Sequence, residues 1–128
     1  MRNHSKPNLL KQETTALGCS LRILFRMYES ESRKEIWPEI EERIQHVCKD
    51  TLGFFLSSVG SDVRDIWIPI INLILREIIS MTEERFVLHA KLHYHLFAEC
   101  LTIACDSSLG ELAFLLAAFF NRSREQRL

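Results

Sequence analysis

The chain has 128 residues, a formal net charge of −1, 47% hydrophobic residues and 26% charged ones. That length suits one domain able to bury a real core, and near-neutrality excludes the concentrated basic surface of a nucleic-acid binder. With only 4 Gly and 3 Pro, the composition favours long helices over a strand-and-turn fold.

The first predicted helix runs from about Leu9 to Tyr28. Leu10, Leu17, Leu21, Leu24, Phe25 and Tyr28 share its apolar face, opposite Lys11, Thr15, Gly18, Arg22, Arg26 and Glu29. Arg22 and Arg26 are like-charged at i,i+4, a mildly unfavourable pair unless an acid lies near. That acid is either within the chain or on a docking partner.

Ser32 and Glu35 fit a capping box, which places the start of a second helix there. Ile36, Ile40, Ile44, Val47 and Phe55 follow at helical spacing as far as Ser57-Ser58-Val59-Gly60, with Lys34, Glu41, Gln45 and Lys49 as the solvent stripe. Pro38 falls early in this segment, so the helix either kinks or begins at the proline.

Val63–Met81 is the apolar centre of the sequence. On a helical wheel its polar positions, Asp65, Asn72 and Arg76, share one narrow stripe with Pro69, and the remaining circumference is apolar. Such a helix must be covered on most sides by other helices. The carbonyl freed by Pro69 belongs to Asp65 on the wet stripe, so the helix either kinks there or a separate helix begins at the proline. Ser61 or Asp62 is the expected cap.

Thr82 is the next expected N-cap, followed by Glu83 and Glu84, with Met81 and Phe86 at hydrophobic-staple positions. The fourth helix then buries Phe86, Ala90, Leu96, Phe97, Cys100 and Ala104 and exposes Lys91, His95 and Glu99. Asp106-Ser107-Ser108 reads as a linker, and Ser108 with Glu111 as a second capping box. The fifth helix, around LGELAFLLAAFF, carries one charge, Glu111, before Asn121.

Five helices with short connections predict an all-α stack of antiparallel helices, read as an armadillo/HEAT-like α-solenoid segment. Alternate helices starting near residues 9, 62 and 108 lie close to the ~40–47-residue period of two-helix repeats. Residues 1–128 form a single helical-repeat domain in this reading, with 1–8 and 123–128 as flexible ends.

Cys19, Cys48, Cys100 and Cys105 form no CxxC pair, and Met1–Gln12 lacks the apolar core of a secretory signal. Reduced thiols in a cytosolic protein are expected. The longest uncharged apolar run, Ile66–Leu75, is far short of the ~20 residues of a bilayer span, so the chain reads as soluble or peripheral. His89 and His93, at i,i+4, with Cys100 two turns on, have the residue types of a zinc site but no evident fourth ligand. Ala90 stands where an HExxH protease needs its Glu. No phosphate loop, nucleophile elbow or desolvated carboxylate pair is present, so neither a cofactor nor catalysis is expected. The remaining feature is the broad apolar surface of the fifth helix. Leu109, Leu112, Leu115, Leu116, Phe119 and Phe120 either fold into the chain's own core or are docked by another copy or segment. The candidate interaction surface is therefore Leu112, Leu116, Phe119 and Phe120, with Arg22 and Arg26.

The run QETTALGCSLRILFRMYESESRKEIW resembles the C-terminal helical region of the large brefeldin-A-inhibited guanine-nucleotide-exchange factors for Arf-family GTPases. Met27-Tyr28, Glu29, Glu31, Arg33 and Trp37 match that family's order, as do Glu41-Glu42-Arg43-Ile44 with Val47-Cys48, Arg64 with Trp67, and Phe86 with His89-Ala90. Glu111-Leu112 and Phe119-Phe120 with Arg122 resemble its last helix. Pro38, Pro69, a longer Cys105–Gly110 linker and neutral Ala113 and Ala117 depart from it. The resemblance implies a non-catalytic regulatory segment downstream of the exchange domain, in a cytoplasmic protein peripheral on Golgi or trans-Golgi membranes. Its implied partners are other segments of the parent factor, a second copy and Arf-pathway proteins. A free-standing metal-binding domain using His89, His93 and Cys100, and a helical-repeat adaptor unrelated to Arf, are the alternatives.

Overall fold

The structure, a computed structural model, describes residues 6–58, 60–107 and 110–128, with side chains from residue 11 onward except at 61, 106 and 107. The expected roles of Leu10, Val59, Ser61 as a side-chain cap, Ser108 and Leu109 fall outside the described residues. Among those described there are five helices and no strand: α1 (Lys6–Ser30), α2 (Trp37–Ser57), α3 (Ser61–Ile79), α4 (Glu83–Ser107) and α5 (Gly110–Glu125).

Helix α3 touches each of the other four helices. Helices α1 and α5 flank it in one layer, and α2 and α4 pack together as the second layer. Gly18 of α1 faces Ile70 of α3, and Glu29 meets Glu77, so these two layer neighbours run in the same direction. Ile71, Ile74, Leu75 and Ile78 of α3 are fully buried, as the thin polar stripe requires. Leu21 and Phe25 of α1, Ile44, Leu52 and Phe55 of α2, and Phe86, Phe97 and Phe119 of α4 and α5 complete one continuous core. Phe119 lies 5.9 Å from Phe86 and 4.7 Å from Phe97, ring centre to ring centre, in tilted geometry favoured by aromatic quadrupoles.

Several boundaries depart from the sequence reading. The Ser32–Glu35 capping box does not form. Helix α2 starts at Trp37 with Pro38 in its first turn, where a missing N–H leaves no broken bond, and Ile36 at the N-cap has no side-chain cap. Pro69, in contrast, stays inside an unbroken α3, exposed on the same stripe as Asp65 and Arg76. The N-cap of α3 is Gly60, not Ser61 or Asp62. Its φ of 92° is a conformation that glycine enters without steric cost. Asp106-Ser107 belongs to α4 and is not a linker.

At the far end, α5 runs past Asn121 to Glu125. Ser123 is buried, and Leu128 packs on the core with its N–H bonded to the Ser123 carbonyl at 2.9 Å. Met81 and Phe86 both enter the core, and the Phe86 N–H bonds the Thr82 carbonyl at 2.8 Å, as a helix entered through Thr82 requires.

Because α3 is the wall shared by both layers, Ile74→Ala is expected to cost about 2–5 kcal/mol in urea unfolding. Ile23→Ala, at a side chain 61% exposed, should stay within about 0.5 kcal/mol.

Candidate functional site

The two histidines of α4 point inward. His89 is fully buried, and its Nε2 lies 3.1 Å from the Tyr28 hydroxyl. Tyr28 donates that hydroxyl to Glu41 Oε2 at 2.6 Å, which takes Glu41 off the solvent stripe predicted for α2. Arg85, only 8% exposed, stacks its guanidinium 3.9 Å from the Trp37 ring centre and 4.6 Å from that of Tyr28. Its Nη2 donates to the Glu31 carbonyl at 3.3 Å, and Trp37 Nε1 donates to the same carbonyl at 2.8 Å. The Glu31 carboxylate in turn accepts from Arg33, which holds it below its ordinary value. Three helices, α1, α2 and α4, converge here on the 31–36 connection. This cluster is a clasp, although Arg85 Nε and His89 Nδ1 have no hydrogen-bond partner among the described residues.

His93 lies one turn on, and neither ring nitrogen has a partner among the described residues. Cys100 is buried, and burial followed by Glu99 pushes its thiol up to about 12. Among the described residues no group of three or more His, Cys, Asp or Glu could hold a metal ion. The zinc alternative built on His89, His93 and Cys100 is thus not assembled.

On α5 the structure places Leu112, Leu116 and Phe119 in the chain's own core, with Phe120 half-buried and 5.2 Å from Tyr94, ring centre to ring centre. These side chains therefore offer no open docking face. Packing against α3 and α4 consumed the apolar stripe that the sequence left unassigned. The outward flank of α5 carries Phe114, 73% exposed. Glu111 reaches back to α3, pairing with Arg76 and accepting from Asn72 Nδ2 at 3.4 Å. Asn72 is consequently buried although it belongs to the polar stripe of α3.

Arg22 and Arg26 are exposed on α1 beside a carboxylate pair, Glu29 and Glu77, which share a hydrogen bond. Burial first, then Glu29, pushes the Glu77 carboxyl up to about 7, against the lowering influence of the two arginines. Arg22 also borders a groove of about 860 Å³ between α1 and α3. Gly18, Ile23, Ile66, Pro69, Ile70 and Leu73 give it apolar surfaces, and Lys11, Asp65, Arg22 and Arg76 its charges. Sequence reading placed Gly18 and Pro69 on the outward stripes of their helices without connecting them. Two positions without a projecting chain, one on each of two layer neighbours, are the signal that could have revealed the opening.

The family model described as the BIG2 C-terminal domain matches residues 1–121. Brefeldin A-inhibited guanine nucleotide-exchange protein 1 of Homo sapiens is 41% identical over 118 residues, which is 92% of this chain and 6% of that protein. The protein of the same name from Mus musculus matches to the same extent. The ADP-ribosylation factor guanine nucleotide-exchange factor sec72 of Schizosaccharomyces pombe is 30% identical over 122 residues, covering 91% of this chain and 7% of that protein. The chain therefore spans only a small fraction of the relatives it matches. No solved structure matches it.

Both buried histidines titrate well below their ordinary value. Burial dominates each shift, to about 4, aided at His89 by His93 and Arg85 and at His93 by Lys49. The unfolded chain therefore binds protons between pH 6.5 and 4 that the folded chain refuses. Stability present above pH 6.5 should fall by on the order of 2–3 kcal/mol per histidine as pH drops to 4. His93→Leu should flatten that acid limb in urea titrations. Glu77 has the opposite sign. Its raised value makes stability highest below about pH 4.5 and lost as pH rises through about 7. Glu77→Gln should raise the melting temperature at pH 8 and leave it nearly unchanged at pH 5.

Proposed function

The chain belongs to the BIG2 C-terminal domain family, and from that premise we propose that it is a non-catalytic, protein-binding segment that regulates a large Arf guanine-nucleotide-exchange factor at Golgi membranes during vesicle trafficking. The observation that carries the reading is the 41% identity across 92% of the chain to a protein named for guanine-nucleotide exchange. The match is confined to 6% of that protein's length, and the family description assigns it to a C-terminal domain. Peripheral association with the membrane comes through the rest of the factor in this reading. No described helix is long and apolar enough to cross a bilayer.

The architecture supports a binding role. Alternating layers, α1-α3-α5 against α2-α4, suit a segment of an α-solenoid, in which each helix pair contacts only its neighbours and the terminal helices await further ones. Phe114 on α5 and Ile23 and Met27 on α1 are large apolar side chains left more than half exposed on those two end helices. Other segments of the exchange factor, a second copy and Arf-pathway proteins are the partners that the family implies for such surfaces.

Two measurements test this. The 128-residue chain alone should leave nucleotide release from an Arf GTPase at its intrinsic rate in a fluorescent-GDP assay; acceleration would defeat the non-catalytic reading. Deleting the segment from the exchange factor that carries it should lower Golgi recruitment while sparing exchange by the catalytic domain in solution. Unchanged recruitment would defeat the regulatory one.

A further inference from the structure

We propose that the groove between α1 and α3 is the docking site for an acidic amphipathic helix of a protein partner. The inference deepens the interaction-module reading and rests on it. Length and shape come first. Lys11 to Arg22 on α1 and Asp65 to Arg76 on α3 border the groove along matching stretches, about 16 Å at ~1.5 Å per residue. Because the two helices run in the same direction, Lys11 and Asp65 mark one end and Arg22 and Arg76 the other. That is a trough about three helical turns long, the dimension of a helix-in-groove contact with anchors at i, i+3/i+4 and i+7.

The chemistry of the walls selects the occupant. Lys11 and Arg22 border the groove against one carboxylate, Asp65, while Arg76 is already paired with Glu111, and Arg26, on the same exposed stripe as Arg22, lies near the Glu77 carboxyl. The hydroxyls of Thr14 and Thr15 both donate to the Lys11 carbonyl at 2.9 Å, so they are already committed. What remains between the charges is apolar. An extended peptide laid there would leave its backbone groups unpaired, because two packed helices present no sheet edge. A helix satisfies its own backbone, places its apolar face on Ile66, Ile70 and Leu73, and directs carboxylates to Arg22 and Lys11.

Cys19 lines this groove and is exposed, whereas Cys105 is exposed on α4, which lies in the other layer. Relative alkylation of the two thiols therefore reports occupancy without any substitution. The probe is a designed three-turn amphipathic helix with leucine anchors and glutamate flanks, compared with the same peptide carrying lysine flanks. The glutamate peptide should slow alkylation of Cys19 and leave Cys105 unchanged, and the lysine peptide should protect neither. Arg22→Glu should weaken binding about fivefold or more, as reversing an exposed ion pair does. A Cβ at Gly18 would sit 3.8 Å from Ile70 Cγ1, an ordinary contact, so Gly18→Ala should fold and still bind. Gly18→Phe fills the trough and should block binding with an unchanged circular-dichroism melt.

Equal protection by both peptides, protection by neither, or binding indifferent to Arg22→Glu and Gly18→Phe would overturn the assignment. So would Cys19 protection by phosphatidylserine vesicles in place of the peptide. If deleting the whole segment still lowers Golgi recruitment while the glutamate peptide fails, the groove is wrong and the interaction-module reading stands.

Discussion

One constraint governs the molecule: a helix that is apolar around most of its girth must be covered on most of its girth. Helix α3 meets it by touching all four other helices, and the two-layer arrangement follows. Covering such a rod from two sides in one layer and from behind by a second layer removes the greatest apolar area from water for the shortest connections. The Asp65–Pro69–Arg76 edge stays exposed, as do Asp62 and Val63 in the first turn. That edge forms one wall of the groove, so the opening is a consequence of how the core is built.

The second layer is fastened by polar chemistry. Around Tyr28, an uncharged imidazole, a carboxylate and a guanidinium stacked on two rings bring α1, α2, α4 and the 31–36 connection together. Burial of Tyr28 and the Glu41 carboxylate both raise the phenol far above its ordinary value, which keeps it a donor. These contacts hold the second layer to α1. The large apolar side chains left exposed are spread over all five helices, with Ile23 and Met27 on α1 and Phe114 on α5 among the most exposed.

Much of the fold was legible from periodicity. The five helices, the inward faces of α1 and α4 and the dominance of α3 follow from spacing at i, i+3 and i+4, which depends on the chain's immediate neighbours alone. The errors cluster at helix starts. Ser32–Glu35 has the residues of a capping box, yet Pro38 fixes the first turn further on, and Gly60 caps α3 through a backbone angle that no side-chain pattern advertises. The candidate site was legible only in pieces: Arg22 and Arg26 were noticed as charges, Gly18 and Pro69 as interruptions.

The sequence by itself determined that this protein is a stack of amphipathic helices, most of the apolar faces that turn inward on α1, α3 and α4, and the family whose pattern they share. Tertiary structure alone decided whether the α5 stripe would be surface or core, that Glu111 would reach Arg76 across 35 residues and His89 the Tyr28 hydroxyl across 61, and that α1 and α3 would leave a trough between them. The division is physical. A helix face is set by bonds and contacts four residues apart, whereas a partner for a side chain exists only once separate helices have been brought to a fixed distance.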